Sequence, residues 1–112
     1  MAEVYSVSQL TAYLKNLVEE DPHLQQIWVQ GEISNFTRHS SGHQYFTLKD
    51  ESARLRCVMF RRESQRLKFL PQDGMAVTVL GRLAIYPKNG EYQLYVAVME
   101  ASGVGSLYLA YV

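Results

Sequence analysis

Alternation of apolar and polar residues recurs along most of this chain, and a helical period occurs once, at its start. Over residues 6–19, Val7, Leu10, Leu14, Leu17 and Val18 recur at helical spacing, and Ser6 with Gln9 fits a capping box. Asp21-Pro22 ends this helix, because the residue before a proline disfavours helical backbone angles. From there the period is two. A first strand, Gln26 to Phe36, sets Ile27, Val29 and Ile33 against Trp28, Gln30 and Glu32, with Gly31 where a strand bulges or bends. A second, His43 to Asp50, directs Phe46 and Leu48 inward and Tyr45, Thr47 and Lys49 outward. A third, Ala53 to Phe60, directs Leu55, Cys57 and Met59 inward and Arg54, Arg56, Val58 and Phe60 outward; Asp50-Glu51-Ser52 joins the two as a hairpin. Residues 61–70 suit a short helix and Pro71 to Gly74 a turn. A fourth strand, Met75 to Tyr86, is interrupted at Gly81 and passes through Pro87-Lys88-Asn89-Gly90, a hairpin signal. The fifth, Glu91 to Ala101, alternates Tyr92, Leu94, Val96 and Val98 with Gln93, Tyr95, Ala97 and Met99. Phe46, Phe69 and Tyr92 read as core.

This order predicts a mainly β fold: a five-stranded OB-type barrel with an N-terminal α-helix and a short helix between strands 3 and 4. Residues 1–22 form the helix packed on the barrel, and 23–103 the barrel itself. Residues 104–112 begin a further helix cut short, since nothing in the sequence buries Leu107, Tyr108, Leu109 and Tyr111. Barrels of this type take oligonucleotides on the strand 2–3 face, between the loops joining strands 1–2 and 4–5. Those loops are Thr37 to Gly42 and Pro87 to Gly90.

Charge changes the picture through its distribution. The formal net charge is zero, yet residues 38–68 hold eight basic against three acidic side chains, and residues 1–37 one against five. A local positive stripe steers a polyanion even on a neutral protein. The alternative is a solvated charged face. With a single cysteine, Cys57, the chain has no disulfide framework and no structural zinc site. Cys57 is in phase with Leu55 and Met59 and reads as a core thiol. The start MAEVYS lacks the features of a secretory signal, and no apolar run reaches the roughly 18 residues of a membrane span. A soluble cytoplasmic protein without a membrane partner is expected.

The candidate site follows from the exposed sides of strands 2 and 3. Arg54 and Arg56 are placed for phosphate contact or base stacking, with plain exposed strand decoration as the alternative. Tyr45 and Phe60 are the outward rings on which bases would stack, or by which the barrel would pack on a neighbouring domain. Arg38, His39 and His43 are placed for nucleic-acid contact near a phosphate path, with Ser40, Ser41 and Gly42 supplying donors. Arg61 and Arg62 extend the track, with Arg66 and Lys68; Arg82 and Lys88 rank behind them. Trp28 is either a further platform or a cover for the helix. His39 and His43 have ligand spacing only on a helix, and neither a third metal ligand nor a carboxylate to orient a Ser–His pair is evident, so neither metal, cofactor nor catalytic group is assigned.

The strings IWVQGEISN, HSSGHQYFTLKD and RCVMFR, the run DGM…GRL…YPKNGEYQLYV, the opening YSVSQLTAYLKNLVEED and the closing GVGSLYLAYV together resemble one family. It is the large subunit of bacterial exonuclease VII, at its N-terminal OB-fold domain. The resemblance implies a parent enzyme that degrades single-stranded DNA to oligonucleotides without an essential metal and pairs with a small subunit in the cytoplasm. It places the nuclease chemistry and the small-subunit contact beyond this region, so that this domain binds the DNA without cutting it. Two alternatives keep the fold: a module that docks on its own nuclease region or a partner subunit, and an RNA- or anticodon-binding barrel.

Overall fold

A computed structural model describes residues 2–101, in the order α1 (Val7–Glu20), β1 (Ile27–Arg38), β2 (Gln44–Lys49), β3 (Arg54–Met59), α2 (Arg61–Ser64), β4 (Ala76–Tyr86) and β5 (Glu91–Glu100). The five strands close into a barrel in the order β1-β2-β3-β5-β4. Every neighbouring pair is antiparallel except β3 and β5, which run parallel through Arg56↔Gln93, Cys57↔Leu94 and Val58↔Tyr95. The OB-type barrel, the helix before it and the short helix after the third strand are therefore as the alternation predicts.

Inward positions of all five strands meet in one core. Ile33, Phe46, Leu48, Cys57, Met59, Val77, Val79, Leu94, Val96 and Met99 are buried together, with Phe36, Leu67 and Phe69 packed against them. Burial raises the Cys57 thiol to about 12, the backbone contact with Leu48 opposing only in part. Because the thiolate is the reactive form, such a thiol is inert while the barrel is closed.

Glycines permit two close approaches between neighbouring strands. Gly31 lets β1 bend across β2: a Cβ there would sit 2.8 Å from Leu48 Cγ and 2.9 Å from the Lys49 carbonyl oxygen. Gly81 faces the backbone of β5, where a Cβ would overlap the Tyr95 carbonyl. The ladder slips at the same point, since Leu80 pairs with Val98 but Gly81 with Val96, leaving Ala97 as the extra residue of a bulge.

A second bulge re-phases β1. Ser34 pairs with Thr47 and Thr37 with Tyr45, so Asn35 and Phe36 together oppose Phe46. Asn35 takes φ 51°, a left-handed conformation that asparagine tolerates better than most residues. The Asp73 carboxylate accepts the freed Phe36 N–H at 2.8 Å. Beyond the bulge, odd positions of β1 face outward where even ones did before.

Other differences from the sequence reading are local. The segment 61–70 is helical only over Arg61–Ser64, because Leu67 and Phe69 turn onto the core instead of continuing a helical face. Tyr92 is 53% exposed and not core: it pairs with Ile85 in the last rungs before the β4–β5 turn, at the open end of the barrel. Thr47 and Val58 point outward yet are buried, Val58 lying between Tyr45 and Tyr95 and Thr47 beside Ser34 and Arg56.

α1 has the predicted capping box, Ser6 accepting the Gln9 N–H and Gln9 accepting the Ser6 N–H. It is tied to β4 at its end only: Gln25 donates to the Val18 and Leu83 carbonyls at 3.1 Å each, and Leu83 N–H donates to the Leu24 carbonyl. Val18 is its one buried residue, while Leu10, Leu14 and Leu17 remain about half exposed. The segment 104–112 lies outside the described residues.

These contacts predict three outcomes. Gly81→Ala should lower unfolding stability by about 1–3 kcal/mol in urea titration, because backbone rather than a side chain must yield. Cys57 alkylation at mildly alkaline pH should proceed only through opening, with a rate that rises with sub-denaturing urea; rapid stoichiometric labelling of the folded chain would contradict the burial. Asp50 accepts the Ser52 and Ala53 N–H groups at 2.8 and 2.9 Å, which hold its carboxyl below the ordinary 3.8. Its folded pKa is depressed, so its stabilisation of the β2–β3 turn is present above the unfolded value and lost as pH falls through the folded one. Acid titration of Asp50→Ala should accordingly show a shallower loss of stability in that window than the parent chain.

Candidate nucleic-acid interface

The parallel β3–β5 ladder assembles the outer face from strands that are distant in sequence. Pairings Tyr45↔Val58, Val58↔Tyr95 and Tyr95↔Arg82 set these four residues in one row across β2, β3, β5 and β4. Val58 forms the floor between the two tyrosines. On the side of the β1–β2 turn, Phe60 stacks on Tyr95 with ring centroids 5.5 Å apart and planes 29° from parallel. Arg82 caps the other end, its guanidinium carbon 4.5 Å from the Tyr95 ring centroid. His43 meets Phe60 edge to face at 5.3 Å, and His39 meets Tyr45 in the same manner at 6.1 Å.

Tyr45 is 37% and Phe60 38% exposed, enough for a base to lie on each ring while the rest of the side chain stays seated. Beyond Phe60 and Tyr95 the surface falls into an open groove of about 470 Å³, bounded by Pro22, Gln25, Glu63 and Arg82. Toward the β4–β5 turn, Arg56 lies beside Thr47 and Gln93, and Arg54 beside Lys49.

The arginines singled out from the sequence lack carboxylate partners among the described residues. Among the described residues the ion pairs are Lys15–Glu19 and Lys49–Glu32, so Arg38, Arg54, Arg56, Arg61 and Arg62 are all unpaired. All five are exposed. An arginine without a carboxylate keeps its fork of donors for an incoming phosphate.

The sequence-derived residues do not all converge. Tyr45, Phe60, His43 and His39 belong to the ring cluster, and Arg54 and Arg56 to its flank. Arg38 does not join them: past the β1 bulge it pairs with Gln44, an inward position, and borders a concavity with Ser64, Lys68 and Phe69 at the barrel end. Ser40 is at the tip of a tight turn, since His39 N–H donates to the His43 carbonyl and Gly42 N–H to the His39 carbonyl, both at 2.9 Å. Arg61 runs its stem along Gly42, while Arg62 is exposed on α2. Trp28 is half exposed on the outer side of β1, opposite Leu80.

Tyr95 is what sequence reasoning passed over, and Arg82, ranked second there, is its partner. The signal was available as an outward aromatic in the fifth strand, but its value depends on β5 lying beside β3. Among the described residues no group of three His, Cys, Asp or Glu side chains has metal-binding proximity, and no helix is long and apolar enough to cross a membrane.

Fold and face together define an OB barrel of the nucleic-acid-binding class. The chain belongs to the OB-fold nucleic acid binding domain family, whose model matches residues 5–100. It is 54% identical over 106 residues to the exodeoxyribonuclease 7 large subunit of Bacillus cytotoxicus, and 51% identical over 111 residues to that of Brevibacillus brevis. Those matches take in 95% and 99% of this chain and 24% of each relative, so the chain spans about a quarter of their length and the family resemblance read from the motifs is borne out over that quarter. Two solved structures share the barrel. One is a replication protein A heterotrimer bound to ssDNA, at 16% identity and TM-score 0.56 over 73% of this chain and 70% of that one. The other is asparaginyl-tRNA synthetase of Entamoeba histolytica, at 15% identity and TM-score 0.60 over 73% of this chain and 21% of that one. At such identity the likeness is one of fold.

Proposed function

We propose that this chain is the domain by which an exodeoxyribonuclease VII large subunit captures single-stranded DNA. The observation that carries the reading is a row of rings, Tyr45 across Val58 from the stacked Phe60–Tyr95 pair, flanked by arginines without carboxylate partners. Bases stack on the exposed rings of Tyr45 and Phe60, with Tyr95 backing Phe60, and any sequence is tolerated because every base has a π-face, while the arginines hold the backbone. Paired bases in a duplex are not free to lie flat on such a surface, so the face favours single strands.

In this reading the domain does no chemistry. Degradation to oligonucleotides belongs to the remainder of the parent protein, together with the contact to a small subunit, and the assembly works in the cytoplasm. A modest intrinsic affinity is sufficient, because tethering to the nuclease region raises the effective concentration of captured DNA. The unpaired arginines favour a polyanion over an apolar docking partner, whose surface would leave those charges desolvated and unmatched.

Fluorescence anisotropy with an oligo-dT of about 20 nucleotides tests the reading, because stacking on rings and contacts to phosphate respond to different changes. Binding should weaken steeply with salt, and Arg54→Ala/Arg56→Ala should lower the log–log salt slope by about 1.4. Tyr95→Ala should cost about 1–3 kcal/mol with the slope unchanged. Salt-insensitive association would instead support docking, and a consistent preference for oligo-rU over oligo-dT would support an RNA ligand.

A further inference from the structure

Phe60 follows the last residue of β3, so its ring direction is not fixed by the ladder. It is the residue before α2. Contacts between the β1–β2 turn and α2 brace it.

His43 Nδ1 accepts the Arg61 N–H at 2.9 Å, and the same imidazole meets the Phe60 ring edge to face. Ser64 Oγ donates to the Gly42 carbonyl at 2.9 Å. Gly42 takes φ +94°, and a Cβ on it would approach Arg61 Cγ to 2.8 Å, so the turn and the first turn of α2 are in direct contact. The hydrogen bond also fixes the state of the histidine. A nitrogen that accepts an N–H carries no proton, so the ring is neutral with its proton on Nε2.

We propose that His43 is a positioning residue: its unprotonated Nδ1 clamps the start of α2 to the β1–β2 turn and so holds the Phe60 ring on Tyr95. The inference rests on the capture reading for the use of that ring pair, but the clamp itself exists without DNA. It takes His43 out of the set of phosphate contacts, since its acceptor nitrogen is occupied and its ring is turned edge-on to Phe60. Asparagine at this position places Oδ1 as many bonds from the backbone as Nδ1 and keeps an acceptor. Leucine has nearly the same shape and none.

Two arms decide it. Long-range proton–nitrogen correlation on the free chain should show His43 as the Nε2–H tautomer; a proton on Nδ1 of the neutral ring would overturn the clamp. In oligo-dT titrations, His43→Asn should stay within about threefold of the parent and His43→Leu should weaken binding about tenfold, both with an unchanged salt slope. Equal losses in the two variants together with a lower slope would make His43 a phosphate contact and overturn the proposal. If the parent chain binds no oligo-dT, the capture reading falls. The tautomer and the proximity of the Phe60 and Tyr95 rings, read by nuclear Overhauser effects in the parent and in His43→Leu, then judge the clamp alone.

Discussion

Three parallel rungs between β3 and β5 are the constraint on which everything else depends. They turn an open antiparallel sheet into a barrel, removing the two edges that β3 and β5 would otherwise expose. On the inside they join Cys57 and Leu94, completing the core. On the outside they join Val58 and Tyr95, completing the ring surface. Stability and recognition thus share one short ladder, and Gly81 sits directly behind it, making room for the Tyr95 backbone.

The connector between β3 and β4 has to carry the chain out of the parallel pair and back. It does so through α2, whose first residues press on the β1–β2 turn. The polar β1–β2 loop is pinned, with Ser64, Arg61 and Gly42 in contact. The ring cluster is therefore built on fixed elements at its upper end and on the strands themselves below. Prepositioned rings lose little freedom when a base arrives, which suits the proposed stacking of bases of any sequence. α1 contributes little to this frame. It is anchored through Val18 and Gln25, and its remaining apolar residues are largely uncovered.

Much of this was legible in the sequence, because alternation and turn chemistry act locally. Period two located all five strands, Ser6 and Gln9 marked the helix start, and the outward positions of strands 2 and 3 gave Tyr45, Phe60, Arg54 and Arg56. What was not legible depends on pairing between distant strands or on a break in alternation. Tyr95 gains its place only from the parallel ladder. Arg38 leaves the face because the bulge at Asn35 and Phe36 inverts the phase of β1. Tyr92 alternates like a core residue but lies past the end of the barrel, where an inward side chain meets solvent.

Whether the outer face of β2, β3 and β5 receives a single strand can be read from a backbone amide titration by nuclear magnetic resonance with unlabelled oligo-dT. Shifts should concentrate at Tyr45, Arg56, Phe60, Arg82 and Tyr95, with Leu10, Leu14 and Leu17 of α1 unmoved. Shifts confined to α1, with the ring cluster unaffected at saturation, would contradict that placement.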